Sequence, residues 1–88
     1  MSSVNYVNGV GLFTTKDGTK ATLVYRLVVV TTPSGSDASG TAIFRSYTPV
    51  IGERLVVTND HDETFECLIS RITNGHYYIM VSGPIPEN

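Results

Sequence analysis

The residues best suited to chemistry lie in the stretch NDHDETFEC, residues 59–67. It contains His61 and Cys67 together with two aspartates and two glutamates, in a chain that has only two histidines and one cysteine. Imidazole, thiolate and carboxylate groups are the ligands of protein zinc sites, which need three or four of them converging on one point. The same groups carry protons in acid–base catalysis.

The position of this cluster favours a solvated hairpin turn over a metal site. Residues 60–63 are consecutive between two strand-like runs, and neighbouring side chains in a turn diverge rather than converge. Cys67 shares one strand face with Phe65 and Ile69, because side chains alternate along a strand. We therefore predict no bound metal and no cofactor, with Cys67 acting as a small buried hydrophobe.

The second histidine provides another candidate for catalysis. His76 follows the hairpin dipeptide Asn74-Gly75, while Ser70 and Ser82 lie on adjoining predicted strands. A serine–histidine pair across the sheet is conceivable, but no nucleophile-elbow sequence accompanies it. We predict that the protein is not an enzyme.

The composition is that of one small folded domain, residues 1–88. Its 41% apolar and 16% charged residues exclude a disordered chain. Six basic and eight acidic residues give a net charge of −2, which argues against nucleic acid as the partner. A single cysteine excludes an internal disulfide. Neither a signal-like start nor an apolar run of about 20 residues is evident, so the expectation is a cytoplasmic protein without membrane contact.

The elements that must position these residues are β-strands. Asp17-Gly18 and Asn74-Gly75 are typical of tight hairpins, and β-branched and aromatic residues flank both. Strands are predicted at residues 9–15, 20–32, 41–47, 54–59, 64–73 and 76–82. Short strands between regular turns predict an all-β fold with little or no helix. We expect either a small antiparallel barrel, as an SH3-like or similar meander, or a compact sandwich of five to six strands.

The longest predicted connection is PSGSDASG, residues 33–40. Its composition indicates a loop, and long loops often carry function. In the strand that follows, Ala42 and Phe44 are expected in the core, with Arg45 and Tyr47 partly outward. An arginine beside a tyrosine suits an anionic ring ligand or an acidic partner segment. The predicted binding residues are Arg26, Asp37, Ser39, Arg45 and Tyr47.

Residues 28–32, VVVTT, form a second predicted interaction feature, because both faces of the strand become apolar there. We predict that the edge of this segment pairs with another protein or with a second copy of the chain. The sequence therefore favours a non-enzymatic binding module with an unidentified ligand. An alternative is a barrel for single-stranded nucleic acid, with a stacking surface of Tyr47, Tyr77 and Tyr78 beside Arg26, Arg45 and Arg71.

The stretch DASGTAIF, followed by PVIGERLVV, is similar to the middle of a PilZ domain, a small barrel that binds cyclic di-GMP. Asp37 and Ser39 match the first positions of the family's Asp/Asn-x-Ser-x-x-Gly motif, whereas Ala42 replaces its glycine. At the spacing of the family's arginine pair stand Lys16 and Lys20, which lack the bidentate grip of arginine on phosphate. The resemblance implies, as a further alternative, a degenerate relative that binds a cyclic dinucleotide or a protein.

Overall fold

The computed structural model describes residues 2–87, and within them the fold is all-β, without a helix. This confirms the predicted fold class, and four of the six strands have the predicted bounds. None of the described residues belongs to a helix long and apolar enough to cross a membrane. The strands are β1 (Ser3–Thr14), β2 (Lys20–Thr32), β3 (Gly35–Arg45), β4 (Arg54–Asn59), β5 (Thr64–Thr73) and β6 (His76–Ser82).

The strands form one closed sheet in the order β1-β2-β3-β6-β5-β4. The predicted meander holds within β1–β2–β3 and within β4–β5–β6, but β3 pairs with β6 instead of β4. The sheet closes unevenly. β1 pairs with β2 along its whole length, whereas β1 and β4 pair only through Gly11–Asn59 and Leu12–Thr58.

Both predicted hairpins are present. The Asp17 carboxylate accepts hydrogen bonds from the Thr15 hydroxyl and from the Thr19 N–H, the latter at 3.0 Å. These bonds stabilise the charged form and lower the pKa of Asp17 to about 2. At the second hairpin, Asn74 and Gly75 have φ values of 50° and 78°, as a two-residue turn with both central residues left-handed requires.

The core lies inside the barrel and is centred on β2. Leu23 and Tyr25 are fully buried. Two glycines of β1 make room for this packing: a Cβ at Gly9 would lie 2.5 Å from the Tyr25 hydroxyl, and one at Gly11 would collide with Val57. The core cluster is completed by Val7, Phe13, Ala21, Leu27, Ala42, Leu55, Phe65, Cys67, Ile69 and Ile79.

The region predicted as a loop, residues 33–40, is mostly strand, so that prediction is wrong. β3 begins at Gly35 and pairs with β2 from Thr32 onward, which leaves only Pro33 and Ser34 in the turn. Gly35 has φ 138°, a conformation that suits glycine at such a tight reversal. β1 likewise begins at Ser3, well before the predicted residue 9.

The extra strand residues form a three-stranded extension beyond the barrel, called the arm below: residues 3–7, 28–32 and 35–38. Residues 28–32 are its central strand, since Val30 pairs with Val4 on one side and with Asp37 on the other. The edge of this segment is therefore not free, and its predicted pairing with another chain is wrong. The free edges of the arm belong to β1 and β3.

The C-terminal residues cover the inner side of the arm. Pro86 is buried, and Ile85 and Glu87 line a cavity together with Val7 and Val29. The backbone N–H of Glu87 also donates to a Glu63 carboxylate oxygen at 2.9 Å. The inner face of the arm is thus packed against the chain's own tail, while its outer face remains open to solvent.

Candidate functional site

The acidic stretch that follows β4 is organised by one buried side chain, Asn59. Its Oδ1 accepts the backbone N–H groups of His61 and Glu63, at 3.0 and 2.9 Å. Its Nδ2 donates to the Tyr25 hydroxyl at 3.1 Å and to the Glu63 carboxylate at 3.0 Å. All four bonds hold the turn against the barrel, so the role of Asn59 is structural.

The remaining groups of this stretch do not converge. His61 Nε2 lies 3.9 Å from Asp60 Oδ1, and both side chains are exposed. Within residues 2–87, no three His, Cys, Asp or Glu side chains are grouped to hold a metal ion. Cys67 is fully buried, as predicted, and burial raises the pKa of its thiol to about 11. The absence of metal and cofactor remains a prediction.

The two serines considered as partners for His76 are engaged elsewhere. Ser70 Oγ donates to the Tyr78 carbonyl at 3.1 Å, and Ser82 Oγ donates to Glu66 Oε1 at 3.5 Å. In the described part of the chain, neither is hydrogen-bonded to His76. The structure therefore does not form the serine–histidine pair.

Outward side chains of β1, β2, β3 and β6 form a continuous surface, called the outer face below. Cross-strand pairing aligns them in rows: Tyr6, Val28, Ser39 and Met80 form one row, because residues directly opposite point to the same side. The apolar members of the outer face, 36–71% exposed, are Val4, Tyr6, Val10, Val24, Val28, Val30, Ile43 and Met80.

Arg26 lies near the middle of this surface. It is exposed and pairs across the sheet with Asn8 of β1 and Thr41 of β3. A groove of about 360 Å³ runs beside Arg26 and Tyr6. A second groove, of about 440 Å³, extends from Thr41 towards β6 and β5, and the two meet at Gly40 and Thr41.

Four of the five predicted binding residues lie on the outer face. Arg26, Asp37, Ser39 and Arg45 are all exposed and occupy outward positions of β2 and β3. They do not form one compact site. Asp37 and Arg45 are eight positions apart on β3, a distance of about 27 Å along an extended strand. Arg26 and Ser39 are diagonal neighbours across β2 and β3, because Arg26 pairs with Thr41, two residues beyond Ser39.

Tyr47, the fifth predicted residue, is partly exposed as predicted, but its ring packs against the core and does not lie on the outer face. Ser46 has φ 62°, which interrupts the alternation of side chains at the end of β3. The Tyr47 ring is half-buried and packs edge-to-face on Phe13, with ring centroids 5.5 Å apart. Its hydroxyl donates to Glu53, and this bond to a carboxylate raises the pKa of Tyr47.

The predicted stacking surface for nucleic acid is formed only in part. Tyr77 is half-buried, with its ring 5.2 Å from that of Phe44 inside the barrel. Tyr47 is half-buried against Phe13. Tyr78 is also half-buried, and the Arg71 guanidinium stacks on its ring, with the central carbon 4.2 Å from the ring centroid. The three rings do not form one shared surface, and nucleic-acid binding stays a prediction.

The lysines at the PilZ arginine positions lie far from the motif residue Asp37. Lys20 begins β2, while Asp37 pairs with Val30 at the other end of the same strand. Lys20 and Val30 are ten positions apart along β2, a distance of about 33 Å in an extended strand. Lys16 lies beyond Lys20 in the turn, so the lysines and Asp37 do not surround one ligand.

Tyr6 and Met80 of the outer face were not predicted from the sequence, whereas Tyr78 and Arg71 were predicted only for the alternative nucleic-acid surface. Tyr6 was missed because residues 3–8 carry apolar side chains at both odd and even positions, which hides the period-two signal. Met80 is 52% exposed, but the apolar residues around it in the sequence do not show which side of the strand faces solvent. The neighbouring Tyr78 and Arg71 come together only through the β5–β6 pairing.

Comparison with known proteins adds no relative: no family model matches the chain, and neither a curated protein nor a solved structure is significantly similar to it.

Proposed function

We propose that this chain is a non-enzymatic interaction module that binds another protein through its outer face. The observation that carries the proposal is the composition of this face between the rows of Val4 and Ile43 on β1, β2, β3 and β6. Its outward positions include tyrosine, methionine, arginine and valine, no lysine or glutamate, and a single aspartate, Asp37. Protein–protein interfaces are enriched in aromatic residues, methionine and arginine, and depleted in lysine, glutamate and aspartate.

Arg26 is the expected anchor of the interface. It forms no ion pair within residues 2–87, and its neighbours Tyr6 and Val28 are 71% and 36% exposed. Tyrosine and arginine are among the residues that most often dominate binding energy in alanine scans. An unpaired guanidinium among apolar side chains suits a partner carboxylate, which it binds with two parallel hydrogen bonds.

The size of this surface fits the centre of such an interface. Its rows from Val4 to Val10 extend about 20 Å along the strands and about 14 Å across four strands, on the order of 300 Å² of mixed apolar and polar side chains. A standard interface buries about 800 Å² on each partner, so polar side chains around these rows would supply the rim.

The reactive side chains support the non-enzymatic part of the proposal. Nucleophilic catalysis needs a nucleophile within hydrogen-bond reach of a base. The Cys67 thiol is buried with a raised pKa, and within residues 2–87 Ser70 and Ser82 donate to groups other than histidine. His61 and His76 lie in or beside exposed hairpin turns.

The experiment is site-specific photo-cross-linking in extracts of the cells that make the protein. Benzoylphenylalanine replaces Tyr6 or Met80 on the outer face, or His61 as an exposed control in the β4–β5 turn. We expect one discrete cross-linked protein from positions 6 and 80, and none from position 61. Equal labelling from all three positions, or none from 6 and 80, would contradict the proposal.

A further inference from the structure

The seam between β1 and β4 lies at the other end of β1 from Tyr6 and is incompletely closed. Pairing stops after Leu12, although both strands continue. In the same register Phe13 would face Val57 and Thr14 would face Val56, yet neither pair is formed. Two strand edges therefore diverge here, and each leaves backbone donors and acceptors free for another strand.

A cleft opens where these strands separate. A cavity of about 580 Å³ is bounded by Leu12, Thr14 and Lys20 on one side and by Arg54 and Val56 on the other. A second cavity of about 390 Å³ adjoins it and shares Thr14 and Arg54. The two together are called the seam cleft below.

The seam cleft carries a local excess of available positive charge. Lys16 and Lys20 form no ion pair within residues 2–87, and Arg54 contacts the exposed Glu66 at 3.3 Å. The one carboxylate that lines the cleft, Glu53, is engaged by a tyrosine hydroxyl and a backbone N–H. The two lysines are thus the groups open to an acidic partner.

Large apolar side chains surround the same cleft. Leu12 is 49% exposed and Val56 is 58% exposed, on opposite sides of the seam. At the adjoining end, Val50 and Ile51 are 57% and 62% exposed. A chain segment that fits here must therefore combine apolar and acidic side chains.

We propose that the seam cleft binds an extended segment of a partner protein, in which apolar and acidic residues alternate, as a strand added along the free edge of β4. The edge from Arg54 to Val57 spans about 13 Å, enough for roughly four residues. Alternate side chains of an added strand point in opposite directions, so the apolar set faces inward beside Phe13 and Leu55 while the acids point outward on the side of Lys20. A second copy fits poorly, because the free β1 edge of the arm, SVNYVN, contains no acid, and the free β3 edge, GSDA, contains one acid but no large apolar side chain.

The test uses an acetylated hexapeptide that alternates valine and glutamate, titrated into the isotope-labelled protein and followed by amide chemical shifts. We expect shifts confined to residues 12–16 and 54–57. Lys16→Glu with Lys20→Glu should weaken binding roughly tenfold, because it replaces two attractive contacts with repulsive ones. The control, Arg26→Glu with Arg71→Glu, changes the net charge equally on the outer face and should alter the affinity by less than about twofold.

Four results would overturn the proposal: no shifts at millimolar peptide, shifts centred on Tyr6 and Met80, equal weakening by both double variants, or equal binding of a valine–lysine hexapeptide. The outer-face proposal is independent of all four, because its cross-linking positions lie away from the seam. Binding that falls with added salt and is lost in the lysine double variant supports an acidic strand in the seam cleft.

Discussion

Packing at the barrel seam can be tested by a double-mutant cycle on Gly11 and Val57. A methyl group added in Gly11→Ala would collide with Val57 Cγ1. Overpacking of this kind in a filled core costs about 1–3 kcal/mol. In a domain of this size each kcal/mol lowers Tm by roughly 4–8 °C.

The sign of the effect should reverse once Val57 is shortened. In Val57→Ala the colliding carbon is gone, and the next atoms a methyl at Gly11 would meet are the Thr58 carbonyl oxygen at 3.4 Å and Tyr25 Cε2 at 3.8 Å. Both are ordinary contacts. Alanine also costs less conformational entropy than glycine within a strand, by about 0.5–1 kcal/mol. Gly11→Ala should therefore stabilise the Val57→Ala protein by about that amount.

Urea unfolding followed by far-UV circular dichroism measures all four proteins of the cycle. The wild type, both single variants and the double variant are compared at one pH, and the coupling energy is the departure from additivity. A cost of Gly11→Ala that is the same in both backgrounds would refute the packing described for the seam. So would a neutral Gly11→Ala in the wild type.

Three further predictions concern the turn network, an acid and the thiol. In thermal unfolding, Asn59→Ala should lower the free energy of unfolding by about 2–4 kcal/mol, because it leaves buried polar groups without partners. The control Asp60→Ala should change it by less than about 0.5 kcal/mol. The lowered pKa of Asp17 means that its charged form stabilises the fold above about pH 4, and that this stabilisation is lost as the pH falls towards 2. The Tm of Asp17→Asn should therefore fall less steeply than that of the wild type between pH 4 and 2. Equal slopes would contradict this. Cys67 should react with a thiol reagent only after unfolding in urea, and rapid reaction of the folded protein would contradict its burial.

Local chemistry predicted most of the strands from the sequence. The alternation of Leu23, Tyr25 and Leu27 identified the buried face of β2, and Asn74-Gly75 fixed the β5–β6 hairpin. The start of β3 was missed because its glycine and serine residues resemble a loop, while backbone pairing with β2 makes them a strand. Composition does not report such pairing.

The candidate site was predictable only in part, for two physical reasons. The inward turn of Tyr47 follows from the positive φ of Ser46, a backbone feature that the alternating pattern does not contain. The pairing of β3 with β6 joins segments distant in sequence, and this pairing brings Met80 beside Ser39. Arg26 and Ser39, predicted as binding residues, are both exposed on the β2–β3 hairpin, and their binding role stays a prediction.

The measurement that tests the central proposal most directly is the cross-linking yield from benzoylphenylalanine at position 6 when Arg26 is also changed to glutamate. Arg26 is exposed and forms no ion pair within residues 2–87, so the change should leave Tm nearly unaltered. If the outer face binds a protein partner around this guanidinium, the yield should fall at least about tenfold, with Arg26→Lys falling less. An undiminished yield from a correctly folded Arg26→Glu protein would contradict the account.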